Sequence, residues 1–404
     1  MRCLELFAGA GGAALGLERA GIHHAALVEW DASACATLRA AGLGPVVEGD
    51  VRDLDAIGAV AGQPIDILWS SFPCQAWSMV GKREGANDER NGWPWSMDAV
   101  DRFGPRWFLG ENVTGLLCHR GGCTYRGGQE GLFAAADPMA CPGCYLERVI
   151  MPGLRSRFPC AGYWEIDAAD MGIPQHRRRI FLWAGPVEPK RPRETHGPGR
   201  PLPWVSMGEA LGLTSFETHS QRSPETAKGG NRWIPGDEPS ETISAISAPH
   251  IRAIGAGTNP HGPGRAHERT ERDITDEHST TITAEQVGNA GPWIASVCPY
   301  LDSPAPTVTT TEEKGTRASA ASNFTFNGGP DRASDALFMG TGRRRLTYRE
   351  AARLQDFPDD HPFQGGAGSI YRQVGNACPP ALIEVVGRAI IEADNARPQE
   401  DHHD

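Results

Sequence analysis

The sequence predicts an α/β fold, in which a mostly parallel sheet with helices on both faces is joined to a smaller, irregular, β-rich region. Short apolar segments alternate with helical patterns in the first part of the chain, and this alternation is typical of parallel sheets. After Gly185 the helical periodicity fades, while proline, glycine, serine and threonine become frequent. The 404 residues suffice for two or three domains with a large buried core.

Several apolar segments have the length and composition of buried strands. They are Leu4–Phe7, Ala25–Trp30, Ile65–Trp69, Trp107–Leu109, Trp164–Asp167 and Arg179–Ala184. A further strand should end at Asp50. The first helix is predicted over Gly11–Ala20, and Gly21 should end it.

Two more helices are predicted near the end of the chain. Thr347 and Glu350 have the spacing of a capping box, so a short helix should follow Thr347 and stop before Pro358. The last helix should begin near Pro379-Pro380, because proline suits a first turn, and should run through Ala381–Ala393.

The region from Pro186 to about Gly340 contains a weak internal repeat. Its three copies are rich in threonine and β-branched residues and lie at 240–245, 279–284 and 305–309. Such composition is typical of strands. The repeat therefore reflects either three similar β-rich segments or a shared function.

The net charge of −11 counts against general affinity for nucleic acids and, taken alone, favours a small-molecule enzyme. Dense basic clusters at 176–179 and 343–345 indicate otherwise, because phosphate binding depends on where the cations lie. The chain has no long apolar run, and its first residues are too few and too acidic for a signal peptide. We therefore expect a cytoplasmic protein with no membrane partner.

Ten cysteines in a cytoplasmic chain indicate metal binding or catalysis rather than disulfides, because the cytosol keeps thiols reduced. Cys118 and Cys123 form one close pair, and Cys141 and Cys144 form a second. Two such pairs suit tetrahedral zinc in a structural site, with His119 as a replacement for one ligand. The other interpretation is a surface loop of reduced, unbound thiols.

The loop from Phe7 to Gly12 joins the first predicted strand to the first predicted helix, and its glycines let the backbone approach a ligand closely. Glu29 ends the next strand, where a carboxylate can hold both ribose hydroxyls of a nucleoside. Asp50 could accept hydrogen bonds from an adenine amino group or could equally cap a helix. Dinucleotide enzymes share this pattern, so a nicotinamide site is an alternative at this point.

The segment Ser71-Phe72-Pro73-Cys74-Gln75 follows a predicted buried strand, so Cys74 should lie where the sites of open α/β sheets collect. A free cysteine is usually a small core residue. One between proline and glutamine in a loop at a strand end is better explained as a nucleophile. Glu111 follows the next strand, so it should lie in the same crevice as a general acid.

An arginine motif precedes the last predicted strand of the sheet. Arg177 and Arg179 alternate and should therefore share one face of the chain. A charge run of this kind, taken alone, is more typical of a solvated face.

These motifs together resemble the DNA cytosine-5 methyltransferase family, of bacterial or phage type, over nearly the whole chain. They stand in that family's order: the Phe7–Gly12 loop, Glu29-Trp30, Asp50, Pro73-Cys74-Gln75, Glu111-Asn112-Val113, Gln175-x-Arg177-x-Arg179, Arg349-Glu350 and Gln373-Val374-Gly375-Asn376. The resemblance implies a Rossmann-like, S-adenosylmethionine-dependent methyltransferase domain and a target-recognition domain. It transfers no DNA sequence specificity, because the recognition domain varies among members.

The resemblance divides the chain into four parts. Residues 1–188 would form the catalytic, S-adenosylmethionine-binding domain, with a cysteine-rich insertion at about 118–146 that the family core lacks. Residues 189–340 would form the target-recognition domain, and 341–371 the hinge with the arginine-glutamate motif. Residues 372–404 would pack back on the catalytic domain.

The family's mechanism implies a catalytic role for Cys74, Gln75, Glu111, Arg177 and Arg179. Attack of the Cys74 thiolate on carbon 6 of cytosine makes carbon 5 reactive. Glu111 would contact ring nitrogen 3, while the two arginines would hold the base and the carboxylate. Loss of the proton from carbon 5 after methyl transfer then expels the thiolate. The base must leave the helix for this chemistry, so base flipping is implied.

The resemblance also assigns binding residues. Those expected to hold S-adenosylmethionine, and the product S-adenosylhomocysteine, are Phe7, Ala8, Gly9, Gly11, Gly12, Glu29, Trp30, Asp50, Val51, Pro73, Trp93, Asn376 and Ala377. Those expected to contact DNA are Phe72, Pro73, Ser78, Asn112, Gln175, Thr307 and Arg349. The segment Gly81 to Gly92 matches the family's mobile loop that closes over flipped DNA.

The resemblance implies a monomeric enzyme that acts on double-stranded DNA in a bacterial cell or a phage-infected host, with a cognate restriction endonuclease as a candidate partner. Two other classes share the fold. A catalytically dead, DNA-binding relative would be free to lose Cys74, Glu111 and Arg177, and all three are present. An RNA cytosine methyltransferase need not carry so long a region between 186 and 340. A nicotinamide enzyme would explain neither the Pro-Cys-Gln motif nor the arginine motif.

Overall fold

The computed structural model describes residues 1–73, 90–119, 141–213 and 343–397, together with short segments of the region between them. Those segments are 216–219, 234–235, 237, 239–240, 250–253, 281–282 and 293–294. The predictions made for Cys74, Gln75, Ser78, Cys123 and Thr307 lie outside the described residues.

A seven-stranded sheet forms the centre of the main domain. Its strands are β1 (Arg2–Leu6), β2 (His23–Glu29), β3 (Val46–Glu48), β4 (Ile67–Ser70), β5 (Trp107–Val113), β6 (Cys160–Asp167) and β7 (Arg178–Gly185). They lie in the order β3-β2-β1-β4-β5-β7-β6. The strands from β1 to β5 pair in parallel, and β7 runs antiparallel to both β5 and β6. The predicted fold class is confirmed.

The α-helices of the described residues are, in chain order, α1 (Gly12–Arg19), α2 (Ala32–Ala41), α3 (Leu54–Ala61), α4 (Trp93–Phe103), α5 (Pro142–Tyr145), α6 (Met151–Arg155), α7 (Met207–Leu211), α8 (Tyr348–Leu354), α9 (Ala367–Asn376) and α10 (Pro380–Asn395). A π-helical turn, Leu146–Ile150, joins α5 to α6. The predicted capping box is present, since Thr347 accepts from the Glu350 amide and Glu350 accepts from the Thr347 amide.

Helices cover both faces of the sheet, as predicted. On one face Ile57 of α3, Phe103 of α4 and Leu154 of α6 pack into one apolar cluster. On the other face Leu17 of α1 and Val386 of α10 pack into a second cluster. Each fully buried side chain of this size contributes roughly 1.5–3 kcal/mol, so the two clusters make the sheet a rigid platform for the site.

The strand order places a crevice at one edge of the sheet. β1 lies between β2 and β4. The chain extends the sheet on one side of β1 through β2 and β3, and then crosses to β4 on the other side. In open α/β sheets such a switch point opens a crevice outside the carboxyl ends of the strands. The loops that follow β1, β2, β4 and β5 all leave the sheet at this edge.

The described part of the region between 189 and 340 contains the short helix α7 and several short strands. Its strands are β8 (Phe216–His219), β9 (Ile234–Pro235), β10 (His250–Ala253), β11 (Thr281–Ile282) and β12 (Trp293–Ile294). A further strand, β13 (Arg343–Arg345), pairs antiparallel with β10, in a four-stranded sheet of order β13-β10-β8-β9. This basic strand therefore continues the sheet of the preceding region, although the predicted boundary near 340 stays a prediction.

Helices α9 and α10 form an apolar stretch of 29 residues that is long enough to be compared with a membrane-spanning helix. In this protein 56% of its most apolar part is buried, and the segment Ala377-Cys378-Pro379 separates the two helices. Burial of this kind is typical of core helices in globular proteins.

Candidate active site

The loop after β1 has the backbone that its glycines allow. Gly9 and Gly11 have φ values of 55° and 85°, and Phe7 also lies in the left-handed region, at 60°. A Cβ on Gly11 would lie 2.5 Å from a methyl group of Leu43, and any other residue would be strained at this positive φ. The Ala8 amide donates to the Val28 carbonyl at 3.0 Å and fixes the loop against β2.

Glu29 organises this loop. Its buried carboxylate accepts hydrogen bonds from the amides of Gly9, Trp30 and Asp31 at 2.8, 2.9 and 2.8 Å. The side chain therefore ties the end of β2 to the glycine loop. The neighbouring Trp30 ring is 80% exposed, which is unusual for an indole in a folded protein.

Asp50 and Val51 follow β3 and face different surroundings. The Arg52 guanidinium hydrogen-bonds to both carboxylate oxygens of Asp50, and these bonds hold the pKa of that carboxyl below its usual value. Arg52 also lies over the Trp95 ring, 5.2 Å from its centre. Val51 is buried in the apolar cluster that contains Ile57 and Phe103.

The chain that leads into position 74 is anchored on both sides. Asn112 at the end of β5 is buried, and its Nδ2 donates to the Phe72 carbonyl at 3.0 Å. Gly92 lies against Phe7 and Pro73, since a Cβ on it would be 2.8 Å from each ring. The Trp93 ring packs edge-on against Phe72 and Phe108 and is only 3% exposed, so its role as a cofactor contact stays a prediction.

Glu111 and Arg179 form an ion pair at the end of β5. Arg179 Nε lies 2.9 Å from Glu111 Oε1, and both side chains are about nine-tenths buried. Strand pairing explains the contact, because Phe181 lies opposite Glu111 and Arg179 is two residues along the same face. The sequence expectation that these two residues meet agrees with this geometry.

Arg177 is buried and links the start of β7 to α9. Its Nη2 donates to the Gly375 carbonyl at 3.1 Å, and its backbone amide donates to Asp167 at 2.9 Å. Burial alone would raise the pKa of Asp167, but hydrogen bonds from His176 and from backbone amides lower it. A charged Asp167 therefore holds the arginine motif in place.

The segment Asn376–Cys378 crosses the start of α1. A Cβ on Gly12 would lie 2.4 Å from the Cys378 carbonyl and 3.1 Å from the side chain of Ala377. Burial and the nearby Glu111 carboxylate raise the pKa of the Cys378 thiol, against the opposing effect of Arg177 and Arg179. Cys378 therefore stays a thiol beside the arginine motif, and sequence analysis did not single it out.

Two expected DNA contacts have structural partners within the protein. Gln175 is fully buried, and its Nε2 donates to the Leu354 carbonyl at 3.4 Å. Arg349 donates to the carbonyls of Asp359 and His361, both at 2.8 Å. Both assignments stay predictions, and the observed contacts tie each residue to the chain at and just after α8.

His361 is a site residue that the sequence did not indicate. It is buried, and its Nε2 lies 3.1 Å from the Ala10 carbonyl in the glycine loop. A carbonyl only accepts, so Nε2 carries the hydrogen. No local motif marks this contact, because 351 residues separate its partners along the chain.

The cysteine-rich insertion brings together three of the residues singled out in it. The ligand atoms of His119, Cys141 and Cys144 lie within 4.8 Å of one another. Cys118 is not in this group: it is exposed, and its sulfur faces the Thr114 carbonyl at 3.8 Å.

The residues at the crevice fit the adenosine part of S-adenosylmethionine. No heavy atom lies within 4 Å of the place that a Cβ on Gly9 would take, so the loop faces open space. The exposed Trp30 ring offers an aromatic face beside Glu29. A carboxylate has about four acceptor positions, so Glu29 keeps one for a hydroxyl after accepting from the three amides.

Comparisons with known proteins agree with this arrangement. Type II methyltransferase M.NgoMIV of Neisseria gonorrhoeae is 30% identical over 392 residues, which cover 96% of this chain and 97% of the relative. M.PspPI of Psychrobacter sp. (strain TA137) is 29% identical over 407 residues, which cover 98% and 80%.

Solved structures share the fold. A prophage-encoded protein of Escherichia coli, described as a DNA modification methyltransferase, has a TM-score of 0.52 at 19% identity and covers 98% of this chain and 99% of its own. A mutant of DNMT2 from Spodoptera frugiperda has a TM-score of 0.53 at 15% identity, with coverage of 96% and 99%.

The family match settles the class. The model for C-5 cytosine-specific DNA methylases matches residues 1–127 and 161–392, which is most of the chain. The chain therefore belongs to the C-5 cytosine-specific DNA methylase family, whose members transfer a methyl group from S-adenosylmethionine to carbon 5 of cytosine in DNA, as the sequence predicted.

Proposed function

We propose that this enzyme methylates a cytosine flipped out of double-stranded DNA, with Cys74 as the covalent nucleophile. The ion pair between Glu111 and Arg179 carries the proposal, because it holds a carboxyl group at the end of β5. The neighbouring strand β4 leads directly into the segment that bears Cys74, and Asn112 anchors that segment through the Phe72 carbonyl. Because β4 and β5 are parallel and end at the same side of the sheet, this arrangement supports a thiol and a carboxyl group that act together there.

The chemistry follows from these two groups. The Cys74 thiolate forms a bond to carbon 6 of cytosine, and the displaced ring electrons raise the electron density at carbon 5 and nitrogen 3. The Glu111 carboxylate, oriented by Arg179, accepts a hydrogen bond from nitrogen 3 as that atom takes up a proton, and so stabilises the added electron density. S-adenosylmethionine supplies the methyl group. Loss of the proton from carbon 5 restores the ring double bond, and the thiolate leaves with the electrons of the carbon–sulfur bond.

Arg177 acts as a positioning residue in this scheme. Its contact with the Gly375 carbonyl fixes α9, which ends at Asn376, against the start of β7. Asn376 and Ala377 would then meet the methionine end of S-adenosylmethionine, while Phe7, Glu29, Trp30 and Asp50 hold the adenosine end. Gln75, Ser78 and Thr307 are proposed contacts on sequence grounds alone.

The region 189–340 would read the target sequence. Both relatives described above are named Type II methyltransferases, which supports a partner restriction endonuclease that cuts the same unmethylated site. The enzyme would act as a monomer in the cytoplasm of a bacterial cell or a phage-infected host, since methylation of one base per encounter needs a single site.

A covalent trap tests the nucleophile. DNA that contains 5-fluorocytosine in the target site should form a stable adduct, because fluorine cannot leave carbon 5 as a proton does. A denaturing gel should show a shifted band with wild-type protein and no such band with Cys74→Ser. Ordinary turnover of tritiated S-adenosylmethionine by Cys74→Ser would overturn the assignment.

The substrate is tested by sequencing. Bisulfite sequencing of DNA from cells that express the protein should reveal one methylated motif, and Cys74→Ser should leave that motif unmethylated. Methylation of RNA but not of duplex DNA in matched reactions would contradict the proposed substrate. If methylation protects the motif from cleavage by one restriction endonuclease, that endonuclease has the specificity expected of the partner.

A further inference from the structure

The geometry points to a zinc site that includes His119, Cys141 and Cys144 as ligands, beyond the proposed methyltransferase chemistry. Both cysteines are buried, and His119 covers them from the more exposed side. The Nδ1 atom of His119 lies 3.8 Å from the Cys141 sulfur and 3.7 Å from the Cys144 sulfur. One histidine and two thiolates form a donor set that suits zinc.

The distances fit one shared ion. Zinc binds sulfur at about 2.3 Å and imidazole nitrogen at about 2.0 Å in tetrahedral geometry, so bound nitrogen and sulfur atoms lie about 3.5 Å apart. The observed separations of 3.7 and 3.8 Å are close to that value. A central ion would therefore need only small movements of the side chains.

The second nitrogen of His119 faces a carboxylate. Its Nε2 lies 3.6 Å from Glu147 Oε1, in the π-helical turn that follows Cys144. A histidine that binds zinc through one nitrogen usually donates its other ring hydrogen to such an acceptor, which fixes the tautomer and the ring orientation. Glu147 is placed for this task.

This site lies in and beside the insertion. The family match omits residues 128–160, and both cysteines lie within that gap. His119 lies just before it, at the end of the turn that follows β5. Of the residues that the sequence singled out, His119 lies in this cluster and Cys118 does not, which favours His119 as the ligand that replaces a cysteine.

The metal-binding segment contacts the chain beside the catalytic crevice. Tyr145 directly follows the ligand Cys144, and its buried hydroxyl accepts a hydrogen bond from Asn91 Nδ2 at 2.9 Å. Asn91 precedes Gly92, which lies against Phe7 and Pro73. Zinc would therefore stiffen the contact that holds Asn91, which lies after the segment that begins at Cys74.

A second contact ties the insertion to β5. The Gly143 amide, between the two cysteines, donates to the Cys118 carbonyl at 3.1 Å. A Cβ on Gly143 would lie 2.7 Å from the His119 ring, so the tight turn needs glycine at this position. Bound zinc would thus connect α5 to the turn that follows β5, the strand that contains Glu111.

Metal analysis of the purified full-length enzyme, made without a histidine tag, tests the site. We expect about one zinc per chain after growth with supplied zinc. Replacement by cobalt(II) should give the visible absorption of a tetrahedral site and a near-ultraviolet band from its thiolates. Wild-type protein that carries no zinc and shows neither signal would overturn the proposal.

Matched variants test the ligand set. His119→Ala and Cys144→Ser should lose the metal, whereas Cys118→Ser and Cys160→Ser should keep it. Cys160 is a suitable control because it is a free thiol on β6 whose sulfur faces the Pro186 carbonyl at 4.0 Å. Loss of zinc from Cys118→Ser together with its retention in His119→Ala would show that the assigned ligands are wrong.

Tyr145→Phe separates metal binding from the support of the crevice. This variant should keep its zinc but lose the bond to Asn91, and its kcat should fall roughly three- to tenfold with little change in KM for S-adenosylmethionine. An unchanged kcat in Tyr145→Phe would overturn the link between the zinc site and the crevice, and the metal measurements would still decide the site itself.

Discussion

His361 Nε2 lies 3.1 Å from the Ala10 carbonyl and so joins the segment between α8 and α9 to the glycine loop. Burial lowers the pKa of His361 to about 4, the nearby Arg349 charge adds to this effect, and the bond to Ala10 opposes it. The imidazole is therefore neutral in the folded enzyme near neutral pH. A single side chain thus makes the glycine loop sensitive to acid.

This contact predicts a pH-dependent loss of stability. The unfolded chain takes up a proton on His361 near pH 6.5, while the folded protein does so only near pH 4. Because the unfolded state binds more protons between these values, stability falls as the pH falls through this window. The contribution is complete above about pH 6.5, and about 2 kcal/mol of it is lost by pH 5.

Urea unfolding of wild type and His361→Gln at pH 7.5 and pH 5 measures this contribution. Gln can donate to the Ala10 carbonyl but does not titrate, so the variant should lose about 2 kcal/mol less between the two pH values. Other carboxylates titrate in both proteins, and their effect cancels in the comparison. Equal losses in the two proteins would show that His361 is not the responsible group.

Glu111→Gln should lower methyl transfer by about 10²- to 10⁴-fold, the range expected for removal of a general acid or base. The amide keeps the size of the side chain but loses the charge that pairs with Arg179. Binding of S-adenosylmethionine should change little, because Glu29 and the glycine loop are separate from this pair. Single-turnover rates and cofactor titration provide the two measurements.

Glu165→Gln is the matched control for that prediction. Glu165 pairs with Arg178, the arginine between the two motif residues, at 2.6 Å, but both side chains are substantially exposed. Exposed ion pairs contribute little, so this variant should keep nearly normal activity. A similar loss of activity in both variants would mean that Glu111 acts through the charge balance around the arginine motif and not by contact with the flipped cytosine.

The sheet could be predicted from the sequence because each buried strand carries its own apolar pattern. The strands around Leu4, Leu68 and Phe108 were expected from such runs, and the structure confirms them. The antiparallel direction of β7 was not predicted, since the same pattern suits a strand in either direction. The order of strands likewise depends on contacts between distant segments.

The site was predictable where motifs follow strand ends. Glu111 and Arg179 meet as expected, because strand pairing brings their positions together. Contacts such as His361 with Ala10, or Asn91 with Tyr145, join segments that are 351 and 54 residues apart and carry no local signature. The choice of His119 over Cys118 in the cysteine cluster depends on side-chain direction, which spacing does not specify.

Asn112→Leu should slow catalysis without preventing cofactor binding. Asn112 Nδ2 donates to the Phe72 carbonyl, two residues before Cys74, and both partners are buried. Leucine has a similar volume but leaves that carbonyl without this donor, which costs about 1–3 kcal/mol of stability. A misplaced Cys74 should lower kcat more than it raises KM for S-adenosylmethionine.

Gln63→Met is the control for Asn112→Leu. Gln63 Nε2 also donates to a backbone carbonyl, that of Phe103 at 3.4 Å, but on the connection into β4 at the opposite end of that strand. Its loss should lower stability slightly and leave kcat unchanged. If Asn112→Leu affects only stability, the proposed positioning role is wrong.

Gly16→Ala should destabilise the enzyme although alanine is the better helix former. Gly16 lies in α1 against the start of α10, and a Cβ on it would be 2.3 Å from the Pro380 carbonyl and 2.5 Å from Ile383. Both obstacles belong to a packed helix, so α1 and α10 must move apart, at a cost of about 1–3 kcal/mol. This cost outweighs the roughly 1 kcal/mol gained from helix propensity.

Gly368→Ala is the paired test, because Gly368 also lies in a helix, α9, but has no heavy atom within 4 Å of its Cβ position. That variant should be stabilised by roughly 0.5–1 kcal/mol. Thermal unfolding of the two variants should therefore shift in opposite directions, and a shift in the same direction would show that α1 and α10 are not packed as closely as described.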